Sequence, residues 1–142
     1  MSTVIVAQSR KEILRCYSVM AQLRPHLTEA EFVARVERQD RDGYRIAFLE
    51  DAGAVKCVAG FRILESLAWG KFLYVDDLVT DERERSKGCG QKLIAWLINH
   101  AKEQKCDEFH LDSGVQRFGA HRFYLATGMD ITCHHFAMKL KK

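Results

Sequence analysis

Two glycines spaced by one residue, Gly88 and Gly90, stand where a strand pattern gives way to a helix pattern. The segment reads Asp77-Leu78-Val79-Thr80-Asp81-Glu82-Arg83-Glu84-Arg85-Ser86-Lys87-Gly88-Cys89-Gly90-Gln91: a strand end, a charged turn, the glycine pair, then an amphipathic helix. The first turn of a helix has backbone N–H groups without internal partners, and the helix dipole places its positive end there. Together they seat an anion. Glycine lets a bulky phosphate approach the main chain without meeting a Cβ, and Arg85 and Lys87 add charge beside the same seat. The chemistry expected is the gripping of a phosphate or pyrophosphate. Two familiar cradles are excluded. A Walker loop needs Gly-Lys-Ser/Thr at the helix entry, and Gly90 is followed by Gln91-Lys92-Leu93. A dinucleotide fingerprint needs a third glycine, and Leu93 occupies its place.

The elements around this segment must hold it in position. Thr3–Ala7 reads as a first strand, and Lys11–Leu23 as a helix with Ile13, Leu14, Tyr17 and Met20 at helical spacing and Ser9 as its N-cap. Arg24-Pro25-His26 breaks that helix. Thr28-Glu29-Ala30-Glu31 has the capping-box form and opens a second, whose apolar stripe of Phe32, Val33 and Val36 is narrow enough for a surface helix. Tyr44–Glu50, Ala54–Leu64 and Trp69–Thr80 read as a meander of three strands joined by short turns. From Gly90 the period changes, with Leu93, Ile94, Leu97, Ile98 and Ala101 on one helix face. A short strand Glu108–Leu111, a helix Gly119–Ala126 ended by Gly128, and a last strand Ile131–Leu140 complete the chain. This order predicts an α+β domain with a mixed sheet.

With 142 residues, 47% hydrophobic and 29% charged, the chain is expected to form a single domain over residues 1–142. A net charge of +3, with no basic run except Lys139-Leu140-Lys141-Lys142, argues against a nucleic-acid partner. No apolar run is long enough to span a membrane, and Met1–Arg10 is too polar for a signal-peptide core. The five cysteines, Cys16, Cys57, Cys89, Cys106 and Cys133, form no CxxC pair. Free thiols in a reducing cytoplasm are the expected state, with no zinc site. His110, His134 and His135 fall on different expected strands, and the adjacent pair would point to opposite faces, so no metal centre is expected from them.

Arg85-Ser86-Lys87-Gly88-Cys89-Gly90 resembles the R/Q-x-x-G-x-G/A signature of the GNAT superfamily of N-acetyltransferases. Downstream, Ala120-His121-Arg122-Phe123-Tyr124-Leu125-Ala126-Thr127-Gly128-Met129 resembles the A-x-x-F-Y-x-x-x-G-F segment of the same family. The two matches come in the family's order, and the strand order agrees over nearly the whole chain. The ending, with His121-Arg122-Phe123-Tyr124 and His134-His135-Phe136, is most similar to the small aminoalkylphosphonate-acetyltransferase-like branch.

The resemblance implies a mostly antiparallel sheet of about six or seven strands flanked by about four helices, with splayed central strands. It implies acetyl-CoA as co-substrate, a primary amine of a small molecule as acceptor, and direct attack within a ternary complex; similar proteins are often homodimers. Carried over by residue, Leu78, Val79 and Thr80 supply main-chain hydrogen bonds to the pantetheine arm. Arg85, Ser86, Lys87, Gly88, Cys89, Gly90 and Gln91 surround the pyrophosphate. Ser86, where many members have glycine, departs from the pattern. Asp77 matches an acidic position that would take the amine proton directly or through water. Asp76 would lie on the opposite strand face by the two-residue alternation. The Val79 or Leu78 N–H would polarise the thioester carbonyl, and Tyr124 matches the acid that protonates the departing thiolate. Arg24, His26 and Arg62 are cationic candidates for an acceptor that carries an anionic group. The alternative from another class is a non-catalytic acyl-CoA-binding sensor, which would keep the Gly88/Gly90 cradle without needing Tyr124 or a base.

Overall fold

In the computed structural model, which describes residues 2–141, one sheet is built from Ser2–Val6 (β1), Arg45–Asp51 (β2), Ala54–Ser66 (β3), Gly70–Thr80 (β4) and Glu108–Leu111 (β5), neighbours in that order. β1–β2, β2–β3 and β3–β4 all pair antiparallel, as short hairpin turns require. The α-helices are Arg10–Arg15 (α1), Tyr17–Leu23 (α2), Glu29–Asp40 (α3), Cys89–Glu103 (α4) and Phe118–Thr127 (α5), with one 3-10 turn at Glu82–Glu84. The described residues fall into two compact units, one ending at His110 and the other starting at Leu111. No helix among them is long and apolar enough to cross a membrane.

In the first unit the sheet has helices on both faces. Cys16, Val19 and Met20 from the first helical pair and Phe32, Val33 and Val36 from α3 pack with Tyr44, Ile46, Phe48, Val58 and Val79. Thus α3 is seated in the core by the narrow stripe that its sequence displays. Its start is fixed as expected: Thr28 Oγ1 accepts from Glu31 N–H at 3.2 Å while the Glu31 carboxylate accepts from Thr28 N–H at 3.4 Å. Strand alternation sends Cys57 and Phe61 to the other face, against α4. There the Cys57 thiol donates to Cys89 O at 3.4 Å, and Phe61 meets the rings of Trp96 and His100 edge-on.

Three expectations need correction. The helix expected over Lys11–Leu23 is two helices, broken at Cys16, whose N–H reaches back to Ile13 O at 3.0 Å, a tighter closure than an α turn makes. The described residues contain five strands and five α-helices, rather than six or seven strands and four helices. The missing strand is Ile131–Leu140, which has no regular structure and is exposed. Alternating apolar residues make a strand possible, but the ladder also needs a paired neighbour for its N–H and C=O groups.

Candidate functional site

The glycine pair lies at the start of α4, as its spacing predicts. Arg85 is extended, Ser86 turns left-handed at φ 66°, and Gly88 is the N-cap at φ 84°. No side chain caps the helix, so its leading N–H groups face outward without a protein acceptor from that position. A Cβ built on Gly88 would meet nothing within 4 Å; the glycine is needed there for its backbone angle and for the open space above it. The left-handed turn at Ser86 also explains the glycine common at that point in the signature, since a side chain there is strained.

The two cations expected at the cradle differ. Lys87 is partly committed, its Nζ lying 3.2 Å from Glu84 Oε2, while Lys56 holds the other Glu84 oxygen at 2.8 Å. These two ammonium groups, Lys56 before Lys87, keep the Glu84 carboxyl below its ordinary range. Arg85 is exposed and has no side-chain partner among the described residues, which leaves it the available charge. Cys89 is half-buried in the first turn of α4. Burial pushes the Cys16 and Cys57 thiols up to about 12, so both behave as apolar core groups.

Leu78, Val79 and Thr80 form the end of β4, paired on one side with Ala59, Val58 and Cys57 of β3. On its other side β4 meets β5 near its start, where Asp107 N–H donates to Lys71 O at 2.6 Å. Four residues of β5 span only about 13 Å, whereas Leu78 is roughly 23 Å along β4 from Lys71. β5 therefore does not reach that edge of Leu78–Thr80.

Two residues upstream the β3–β4 register slips. Gly60 pairs with Asp77 and Phe61 with Val75, so Asp76 is an extra residue, a β-bulge. The bulge cancels the alternation that would send Asp76 and Asp77 to opposite faces. Asp77 Oδ2 accepts from the Tyr44 hydroxyl at 2.6 Å, and Asp77 Oδ1 from Arg24 Nε at 3.0 Å. Asp76 accepts from Arg62 at 2.7 and 3.2 Å, and that guanidinium lies 5.4 Å from the centre of the Tyr44 ring. The two carboxylates thus share one cluster, contrary to the opposite-face expectation. Burial pushes the Asp76 carboxyl up, with Arg62 acting against it. Burial, and then the Asp77 charge, hold the Tyr44 phenol well above its ordinary range, so it is a permanent donor.

Tyr44 and Gly60 join this cluster although no motif in the sequence points to either. A Cβ on Gly60 would sit 1.8 Å from the Tyr44 hydroxyl and 2.6 Å from Asp77 Oδ2. A glycine inside an otherwise apolar strand is itself a signal of bulging or close approach, and it was legible at position 60. Of the three cations expected to face the acceptor, Arg24 and Arg62 are both inside this cluster, while His26 is exposed on the loop between α2 and α3.

In the second unit, Tyr124 is half-buried on α5, its ring centre 5.5 Å from that of Phe123, and desolvation raises its hydroxyl above the ordinary phenol range. His121 Nε2 lies 2.7 Å from Gly114 O, and the N–H of Gly128 closes the helix onto Leu125 O at 3.1 Å. His135 lies 3.4 Å from the Asp112 carboxylate.

The sequence profile of the acetyltransferase (GNAT) family matches residues 8–129. The uncharacterized N-acetyltransferase YhdJ of Bacillus subtilis (strain 168) is 32% identical over 117 residues, 82% of each chain. Glucosamine 6-phosphate N-acetyltransferase of Arabidopsis thaliana is 29% identical over 96 residues, 63% of this chain and 64% of that one. Among solved structures, a transcriptional regulator from Bacillus halodurans C-125 superposes with a TM-score of 0.87 over 99% of this chain and all of its own, at 18% identity, a likeness of fold.

Proposed function

Because the chain belongs to the GNAT acetyltransferase family and is an acyltransferase, we propose that it moves an acetyl group from acetyl-CoA to the primary amine of a small molecule, by direct attack in a ternary complex. The observation that carries this reading is the uncapped start of α4, with Gly88 left-handed and Arg85 exposed beside it. Its donor set of main-chain N–H groups and a guanidinium suits the diphosphate of coenzyme A.

In this reading the groups from Ser86 to Gln91 hold the diphosphate, and the edge of Leu78–Thr80 that lies beyond the reach of β5 aligns the pantetheine arm. The Val79 or Leu78 N–H donates to the thioester oxygen as negative charge develops there. The amine must be neutral to attack, and Asp77 takes its proton directly or through water. As the C–N bond forms and the C–S bond breaks, Tyr124 gives its proton to the leaving sulfur. A phenol held above its ordinary range is fully protonated at neutral pH, as that role requires. Holding amine and thioester side by side contributes on the order of 7–11 kcal/mol of the barrier reduction.

We assign the acceptor a phosphorus oxyanion beside its amine. Two relatives named as glucosamine 6-phosphate N-acetyltransferases support an amino-sugar phosphate. The resemblance of the chain's ending to the aminoalkylphosphonate branch supports an aminophosphonate. The test is thiol release from acetyl-CoA across a panel of amines. Release accelerated by at least one primary amine supports transfer; coenzyme binding with no accelerated release by any amine would instead favour the acyl-CoA sensor.

A further inference from the structure

Asp77, the proton acceptor in the reading above, accepts one side-chain hydrogen bond on each oxygen. Oδ2 accepts from Tyr44 at 2.6 Å, and Oδ1 from Arg24 at 3.0 Å. A carboxylate oxygen can accept a second hydrogen bond, so the obstacle to a proton at Oδ1 is the positive charge already held there by the guanidinium. The two partners differ in whether anything can replace them. Tyr44 is 4% exposed and lies against Gly60, out of reach of an incoming molecule. The Arg24 side chain is 40% exposed and projects from the C-cap of α2, one residue before Pro25.

The cluster's other cation is not exchangeable. Arg62 is gripped by both Asp76 oxygens and by Gln39 Oε1 at 2.8 Å, with the Tyr44 ring beneath it. Arg62 and Asp76 therefore neutralise each other, and Arg24 and Asp77 do the same. A simple ammonium entering here adds an uncompensated positive charge and must compete with a guanidinium for the carboxylate. An amine that carries an oxyanion brings the partner that Arg24 would otherwise lose, and a guanidinium fork matches phosphate or phosphonate geometry.

We propose that Arg24 is an exchangeable clamp on Asp77: the oxyanion of the acceptor draws the guanidinium away, and the freed Oδ1 receives the ammonium proton. The acceptor N–H bond breaks, the proton passes to Asp77 Oδ1, and the nitrogen lone pair is released for attack. Substrate selection and base activation are then one event at one ion pair. The inference rests on the acetyl-transfer reading with Asp77 as base, and it adds a binding role for Arg24.

The test compares two acceptor pairs on the full chain with acetyl-CoA: glucosamine 6-phosphate against glucosamine, and 2-aminoethylphosphonate against ethanolamine. In at least one pair the wild type should favour the oxyanion-bearing member in kcat/KM by roughly 10- to 100-fold. Arg24→Gln should collapse that ratio toward one, and Arg24→Lys, which keeps charge without the fork, should recover part of it. Calorimetry of the preferred acceptor on CoA-loaded protein should show weakened binding in Arg24→Gln. Equal losses on both members of a pair in a folded Arg24→Gln protein, or no oxyanion preference in either pair, would overturn the proposal. If no acceptor is acetylated yet oxyanion binding still depends on Arg24, the anion exchange is supported and the transfer reading alone fails.

Discussion

The Tyr44 hydroxyl donates to the Asp77 carboxylate across 2.6 Å, in a space that exists because residue 60 has no side chain. The contact joins the first residue before β2 to the bulge of β4, with the backbone of β3 between them. It holds one carboxylate oxygen in a fixed direction from the buried side of the sheet.

Gly60→Ala should therefore break this contact. Its Cβ collides with the phenol oxygen, and overpacking of this kind costs about 1–3 kcal/mol. Urea unfolding measures that cost, and Tyr44→Phe serves as the comparison, since it removes the hydroxyl while keeping the ring. In Gly60→Ala combined with Tyr44→Phe the penalty should remain large, because the ring carbon nearest the hydroxyl also lies only 2.5 Å from the new Cβ.

At the cradle, Ser86 and Gly88 should respond in opposite senses. Ser86→Gly relieves a left-handed residue and is expected to stabilise the fold by about 1 kcal/mol, a rise of about 3 °C in Tm. Gly88→Glu places a side chain and a negative charge over the uncapped helix start and should abolish coenzyme A binding. Calorimetry decides this: unchanged affinity in a folded Gly88→Glu protein would falsify the cradle.

Tyr124→Phe should lower kcat by on the order of 100-fold while acetyl-CoA affinity moves less than about threefold. The opposite pattern, weak binding with preserved kcat, would reduce Tyr124 to a packing group on α5.

Acid stability should report on Asp81. Its carboxylate is 3% exposed, accepts from the Arg83 guanidinium and N–H, and is held well below the ordinary carboxylate range by those contacts. A depressed folded value gives stability that is fully present above about pH 4, the unfolded carboxyl's range, and is lost as pH falls through the folded value. Urea midpoints should therefore decline below about pH 4, and Asp81→Asn should flatten that decline. Asp76, raised by burial, works in the other direction, so the variant isolates the Asp81 contribution.

Local chemistry was legible residue by residue. Ser9 and Thr28 cap α1 and α3, Pro25 follows the end of α2, Gly128 ends α5, and Gly88 opens α4, because each of these devices acts within a few residues of chain. Periodicity placed three helix faces and the meander for the same reason. The glycine-opened start of α4 and the strand preceding it were thus determined by the sequence.

Tertiary structure alone decided how the acidic pair at Asp76 and Asp77 is arranged. The bulge arises from the register between β3 and β4, a relation between residues far apart in sequence, and it turns both carboxylates to one side. Which cation each carboxylate keeps depends on helix α2 delivering Arg24 and on β3 delivering Arg62 to neighbouring points. The fate of Ile131–Leu140 also depended on pairing rather than pattern, since alternation sets which side chains share a face but cannot supply the neighbouring strand.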